Sequence, residues 1–114
     1  MKISYSILIL CSFLLADNTV YLESIDCDTW AVQYCTDENI AGFQFNVLGG
    51  VGVLGVSGGD ADAAGLNLDV NSPTVLGFAL NPVEDNIAPG CGTLVELELN
   101  GTPTSLSDII FSAL

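Results

Sequence analysis

Beyond Lys2, carboxylates are the only charged side chains this sequence offers for chemistry. Fourteen acidic residues stand against one basic residue, Lys2, and there is no histidine. Acid–base cleavage of a glycoside needs two carboxyl groups about 5 to 9.5 Å apart across the scissile bond, and the sequence offers carboxylate pairs such as Glu84 with Asp85, or Glu96 with Glu98. Glu96 and Glu98 alternate with Val95, Leu97 and Leu99, so they share the solvated face of a strand, where charge serves solubility. No catalytic constellation emerges, and the expectation is a chain without enzymatic activity. Calcium is the stronger ligand candidate, because a hard cation gathers several oxygens. Asp60, Asp62 and Asp69 bracket one loop, and Asp37, Glu38 and Asn39 form another. Neither carries the D-x-D-x-D-G run or the closing Glu of an EF-hand. The competing reading makes Asp60 the N-cap of a helical turn that Gly65 ends, with Asp62 favouring the helix dipole. Both readings stand.

The missing bases remove whole classes of function. Nucleic acid is excluded as a partner, since a phosphate backbone is neutralised by Lys or Arg, and a histidine base has no candidate. Partners are cations, neutral polymers or basic surfaces. Sugar recognition stacks rings on exposed aromatics, but Trp30, Phe43, Phe45 and Phe78 are expected to alternate inward, which leaves Tyr21 as the free sugar-contact candidate. Asn100-Gly101-Thr102 is an N-glycosylation sequon on a turn; Asn-Gly is equally a hairpin signal, and the two roles are compatible.

Lys2, the apolar run from Ile7 to Leu15 and Ala16 together read as an export signal over residues 1–16. An uncleaved anchor is the alternative. The run is shorter than the about 20 residues that span a bilayer, so no membrane insertion is expected after cleavage. Leu10 before Cys11 argues against a lipoprotein. Residues 17–114 then make one domain, secreted or displayed at a cell surface. Cys27, Cys35 and Cys91 remain, and an exported domain with three cysteines implies one disulfide and one unpaired thiol. With no His and no C-x-x-C pair, a metal thiolate site is not expected.

The elements that must position these groups are short alternating runs punctuated by Gly, Pro, Asn and Asp, the pattern of antiparallel strands with one buried face. Strands are predicted at Val20 to Ile25 and at Thr29 to Tyr34, the latter with Trp30, Val32 and Tyr34 on one face. Gly42 to Val47 follows, with Phe43, Phe45 and Val47 inward. Gly49 to Gly59 reads as a strand that bends or lies close to another backbone, and Asp60 to Gly65 is the only helical turn. Leu66 to Val70 and Thr74 to Leu80 come next, the second with Leu76, Phe78 and Leu80 on one face. Thr93 to Leu99 has the cleanest alternation, and Asp108 to Ala113 closes the set. About eight short strands imply an all-β sandwich of two sheets.

Three segments, IAGFQFNV (Ile40 to Val47), TVLGFAL (Thr74 to Leu80) and GCGTLVELEL (Gly90 to Leu99), with the closing LSDIIFSAL, resemble the cohesin-type jelly-roll sandwich of extracellular scaffolding proteins, which is related to carbohydrate-binding modules. The resemblance rests on core-strand patterns. It implies a structural or adhesive module that assembles with a protein partner, a dockerin-type peptide among the options, with a carbohydrate-binding module as the alternative function. Its topology sets the strand ending at Tyr34 antiparallel to the one beginning at Thr93, which implies a Cys35–Cys91 disulfide and leaves Cys27 as the unpaired thiol. A local Cys27–Cys35 bridge competes. A final edge strand is expected to be missing, and the exposed edge would invite self-association.

Overall fold

The computed structural model describes residues 4–5 and 18–113. The strands are β1 (Ser4–Tyr5), β2 (Thr19–Ser24), β3 (Thr29–Thr36), β4 (Ile40–Leu48), β5 (Val53–Ser57), β6 (Asn67–Asn71), β7 (Thr74–Phe78), β8 (Gly90–Leu99) and β9 (Ser105–Ala113), with one helix, α1 (Gly59–Ala63). They form two sheets, β1-β2-β3-β8-β5 and β6-β7-β4-β9. Every pairing is antiparallel except that of β1, which runs parallel beside Thr19 and Val20. The rest of the expected export signal lies outside the described residues.

Between the sheets lies one core. From the five-stranded sheet it takes Val20, Val32, Tyr34, Val53, Leu94, Val95, Leu97 and Leu99; the other sheet adds Ile40, Phe43, Phe45, Val47, Val75, Leu106, Ile109 and Phe111. Phe43 stacks on Phe45 and meets the edge of Phe111. The inward alternation expected for β4 and β8 is present, because a period of two puts every second side chain on one face.

Two departures from simple alternation shape everything around them. The first is a β-bulge in β8. Val32 pairs with Val95 and Gln33 with Thr93, so Leu94 is an extra residue on its strand. Leu94 and Val95 are both fully buried. An inserted residue reverses the face of everything beyond it, so Cys91 turns outward, to the face that Cys35 occupies. The second is at β7, where the buried face is Val75 and Gly77. Gly77 lies opposite Phe43, and a Cβ there would overlap the Phe43 ring. The ring claims that space, so the larger residues of β7 face out. This corrects the inward placement of Leu76, Phe78 and Leu80: Phe78 is 39% exposed and Leu80 77%.

The helix also differs from expectation at its start. Gly58 is the N-cap, and Asp60 lies inside α1. Gly59 adopts φ 69° and lies against the backbone of Leu94, where any Cβ would overlap the carbonyl; only glycine combines that torsion with that approach. Asp60 then reaches the five-stranded sheet, where the Tyr34 hydroxyl donates to its Oδ2 at 2.7 Å. Burial, reinforced by this bond, pushes the Tyr34 pKa well above its usual range.

On the other sheet β9 is an edge strand of nine residues. Its ladder is broken by a second bulge: Gln44 pairs with Ile110 and Asn46 with Ser107. Asp108 lies in that bulge at φ 51°, the left-handed region. Asn46 Nδ2 and the Ser107 hydroxyl both donate to its carboxylate. The Asn100-Gly101 turn joins β8 to β9, and these strands belong to different sheets. It is therefore a crossover, which corrects its reading as a hairpin.

Gly77→Ala is expected to destabilise the domain by about 2 to 3 kcal/mol through overpacking against Phe43, read as a lower urea midpoint at unchanged slope. Tyr34→Phe is expected to cost about 1 kcal/mol at neutral pH by loss of one hydrogen bond. The raised Tyr34 pKa also sets a sign: its stabilisation is whole below the unfolded tyrosine value near pH 10 and falls as pH rises above that. Stability measured from about pH 9 to 12 should therefore decline less steeply in Tyr34→Phe than in the parent.

Candidate functional site

Cys35 and Cys91 are directly opposed on β3 and β8 and form a disulfide, with Cα atoms 4.0 Å apart. It closes a separation of 56 residues, worth about 4 kcal/mol in the chain-entropy account. Cys27 is exposed and outside any disulfide. It sits in the β2–β3 turn, where the backbone N–H groups of Asp28 and Thr29 donate to Asp26 Oδ1 and hold that carboxyl below its usual pKa range.

The three aspartates considered for calcium do not converge. Asp60 accepts from Tyr34, Asp62 Oδ2 accepts from the Gly58 N–H, and Asp69 Oδ1 accepts from the Val70 N–H on β6. Among the described residues no group of three or more His, Cys, Asp or Glu side chains is placed to hold a metal ion. Asn100 is exposed on its turn, and its Oδ1 accepts from the Gly52 N–H at 2.7 Å. Tyr21 is half-buried on the outer face of the five-stranded sheet opposite Gln33, and the aromatic ring pairs, Phe43–Phe45 and Phe43–Phe111, lie in the core. Glu96 and Glu98 are exposed on the same outer face, opposite Ala31 and Thr29.

The surface with the strongest recognition character is the outer face of the four-stranded sheet. Register sets it in rows: Asn67, Phe78, Gly42 and Ser112 form one, and Asp69, Leu76, Gln44 and Ile110 the next. A third row runs Asn71, Thr74, Asn46 and Ser107. Phe78, Leu76 and Ile110 thus surround Gly42 and Gln44, and Ile110 is 48% exposed. Between them lies a shallow depression of about 160 Å³, its floor formed where Gly42 presents no side chain. The third row is polar and hydrogen-bonded: the Thr74 hydroxyl donates to Asn46 Oδ1 at 2.6 Å, and Asn46 Nδ2 donates to Asp108. An apolar notch beside a fixed polar row is the surface pattern of a protein contact, an anchoring pocket next to a hydrogen-bonding rim.

Sequence reading placed two of the three notch residues in the core. The available signal was Gly77, since a glycine inside an apolar strand marks a close approach by a neighbour; the face holding the glycine is then the crowded, buried one.

Neither a family model nor a curated relative matches the sequence. Among solved structures, a non-cellulosomal cohesin from the hyperthermophilic archaeon Archaeoglobus fulgidus is similar, with a TM-score of 0.56 at 14% identity over 86% of this chain and 79% of that one. The two-sheet arrangement derived above, a disulfide across β3 and β8 and a bulge that orients it, is therefore carried on a cohesin-like β-sandwich.

Proposed function

We propose that this chain is a secreted, non-catalytic structural or adhesive module at a cell or particle surface, and that it assembles with a protein partner through the outer face of β6, β7, β4 and β9. The observation that carries this reading is the notch of Phe78, Leu76 and Ile110 around Gly42. Leu76 and Phe78, which face outward because Phe43 occupies the space at Gly77, and Ile110, outward between buried Ile109 and Phe111, cluster as large apolar groups on one exposed sheet face. A cohesin-like fold supports assembly as the role.

Charge selects the partner. The chain carries a formal net charge of −13, so two copies repel and a partner with lysine or arginine around an apolar anchor is steered inward. The expected ligand inserts an aromatic or aliphatic side chain at Gly42 and places basic residues toward Asp69 and Asp108. Export on residues 1–16 and a glycan on Asn100 complete the reading; Asn100 lies on the crossover, away from the notch rows in sequence and register.

Panning a peptide-display library on the folded domain is expected to enrich sequences with an apolar anchor flanked by Lys or Arg. Phe78→Ser and Ile110→Asp should each weaken the enriched peptides by about ten-fold or more, as truncation of a contact anchor does, while leaving the urea midpoint within the range of ordinary surface substitutions. Enrichment that survives both changes would remove the face from consideration, and sugars retained on a glycan array through Tyr21 would favour the carbohydrate-binding alternative.

A further inference from the structure

We propose that the groove between α1 and residues 86–91 receives a lysine side chain of a protein partner, with the ammonium group held on Asp60. The groove measures about 390 Å³, inside the range of about 300 to 1,000 Å³ in which ligand clefts fall. Ala63 and Ala64 line it from the end of α1, and Ala88 and Pro89 from the segment facing it. These walls are small and apolar, and they suit the methylene stem of a long side chain whose charged head lies further along. Besides Tyr34, two side chains with polar heads line the groove, Asn86 and Asp60. Asn86 is already engaged, since its Nδ2 donates to the Pro82 and Val83 carbonyls and its Oδ1 accepts from Asn39. Asp60 is left to set the chemistry.

That carboxylate is fixed in place but not neutralised. Gly59 seats it by its approach to Leu94, the Tyr34 hydroxyl donates to Oδ2, and a Cβ on Gly92 would overlap that same oxygen. Among the described residues no other donor reaches the Asp60 carboxylate, and residues 18–113 contain no Lys, Arg or His that could pair with it. A half-buried carboxylate in an apolar cleft gains more from a cation than one on an open surface, because less water screens the pair. With Oδ2 enclosed by Tyr34 and Gly92, Oδ1 is the oxygen left for a ligand. A guanidinium uses two parallel bonds to both carboxylate oxygens, whereas an ammonium is a point charge that one oxygen can receive, so the geometry selects lysine over arginine. The groove is open along the exposed residues Ala63, Ala88 and Pro89, and a small free amine would be only partly enclosed there. A lysine carried on a docked partner instead enters at high effective concentration. The groove shares no lining residue with the notch around Gly42, and the two proposals fail separately.

The test is an NMR titration of the full chain at constant ionic strength with short blocked peptides of glycine and alanine whose central residue is lysine, arginine or norleucine. The lysine peptide should give saturable amide shifts centred on Asp60, Ala63, Ala64 and Ala88. The arginine peptide should bind several-fold more weakly, and the norleucine peptide about ten-fold or more, as loss of a charged hydrogen bond predicts. Asp60→Asn keeps an oxygen for the Tyr34 hydroxyl and should lower lysine affinity about ten-fold. Ala63→Phe fills the groove from an exposed position at the end of α1; it should weaken binding several-fold with Asp60 intact and the melting temperature unchanged. Shifts that spread over the acidic surface without saturation, an equal response to the arginine or norleucine peptide, lysine affinity unaltered in either variant, or n-butylamine binding as tightly as the lysine peptide would each overturn the proposal.

Discussion

The pairing of β3 with β8, and the single extra residue it accommodates at Leu94, is the constraint on which the rest of the molecule depends. The bulge puts Leu94 and Val95 into the core together, and it reverses the facing of Gly90 to Thr93 so that Cys91 meets Cys35. It also offers the backbone surface on which Gly59 rests, and that contact delivers Asp60 to Tyr34. Disulfide, helix and buried hydroxyl are thus three consequences of one insertion. Strict alternation along β8 would have sent Cys91 into the sandwich and left Cys35 without a partner on its own face.

Much of the fold was legible because period-two alternation is a strong signal wherever one face is buried and the other wet. β4 with Phe43, Phe45 and Val47, and β8 with Val95, Leu97 and Leu99, could be assigned from the letters alone. β7 could not, because TVLGFAL is apolar on both faces and size pointed the wrong way. What decided it was a cross-strand pair, Phe43 over Gly77, and such pairs exist only once register is known. The start of α1 failed for a related reason. Asp60 is a good capping residue, but Gly59 was needed at the place where the chain touches Leu94, and tertiary contact outranked local preference. Two residues of the candidate face, Leu76 and Phe78, were hidden in the same way: they look like core until the ring of Phe43 has excluded them.

Charge acts at a different level from packing. With every basic side chain absent beyond Lys2, polar order in the domain is built from neutral donors onto carboxylates and amides: Tyr34 to Asp60, Asn46 to Asp108, Gln33 Nε2 to Glu23 and Asn39 to Asn86. These bonds are directional and short-ranged, so they fix geometry without offsetting the overall negative field. The field remains free to act outward, on whatever approaches.

The broken ladder of β9 bears on how such a molecule behaves in company. A nine-residue edge that carries the run Ile109-Ile110-Phe111, with no lysine and no proline, has features of a cross-β template. Asp108, turned left-handed in the middle of it and pinned by Asn46 and Ser107, interrupts the regular strand geometry that a flat template requires. Neighbouring copies held at high density on a surface would meet an interrupted edge, and crowding would then not zip them into fibres.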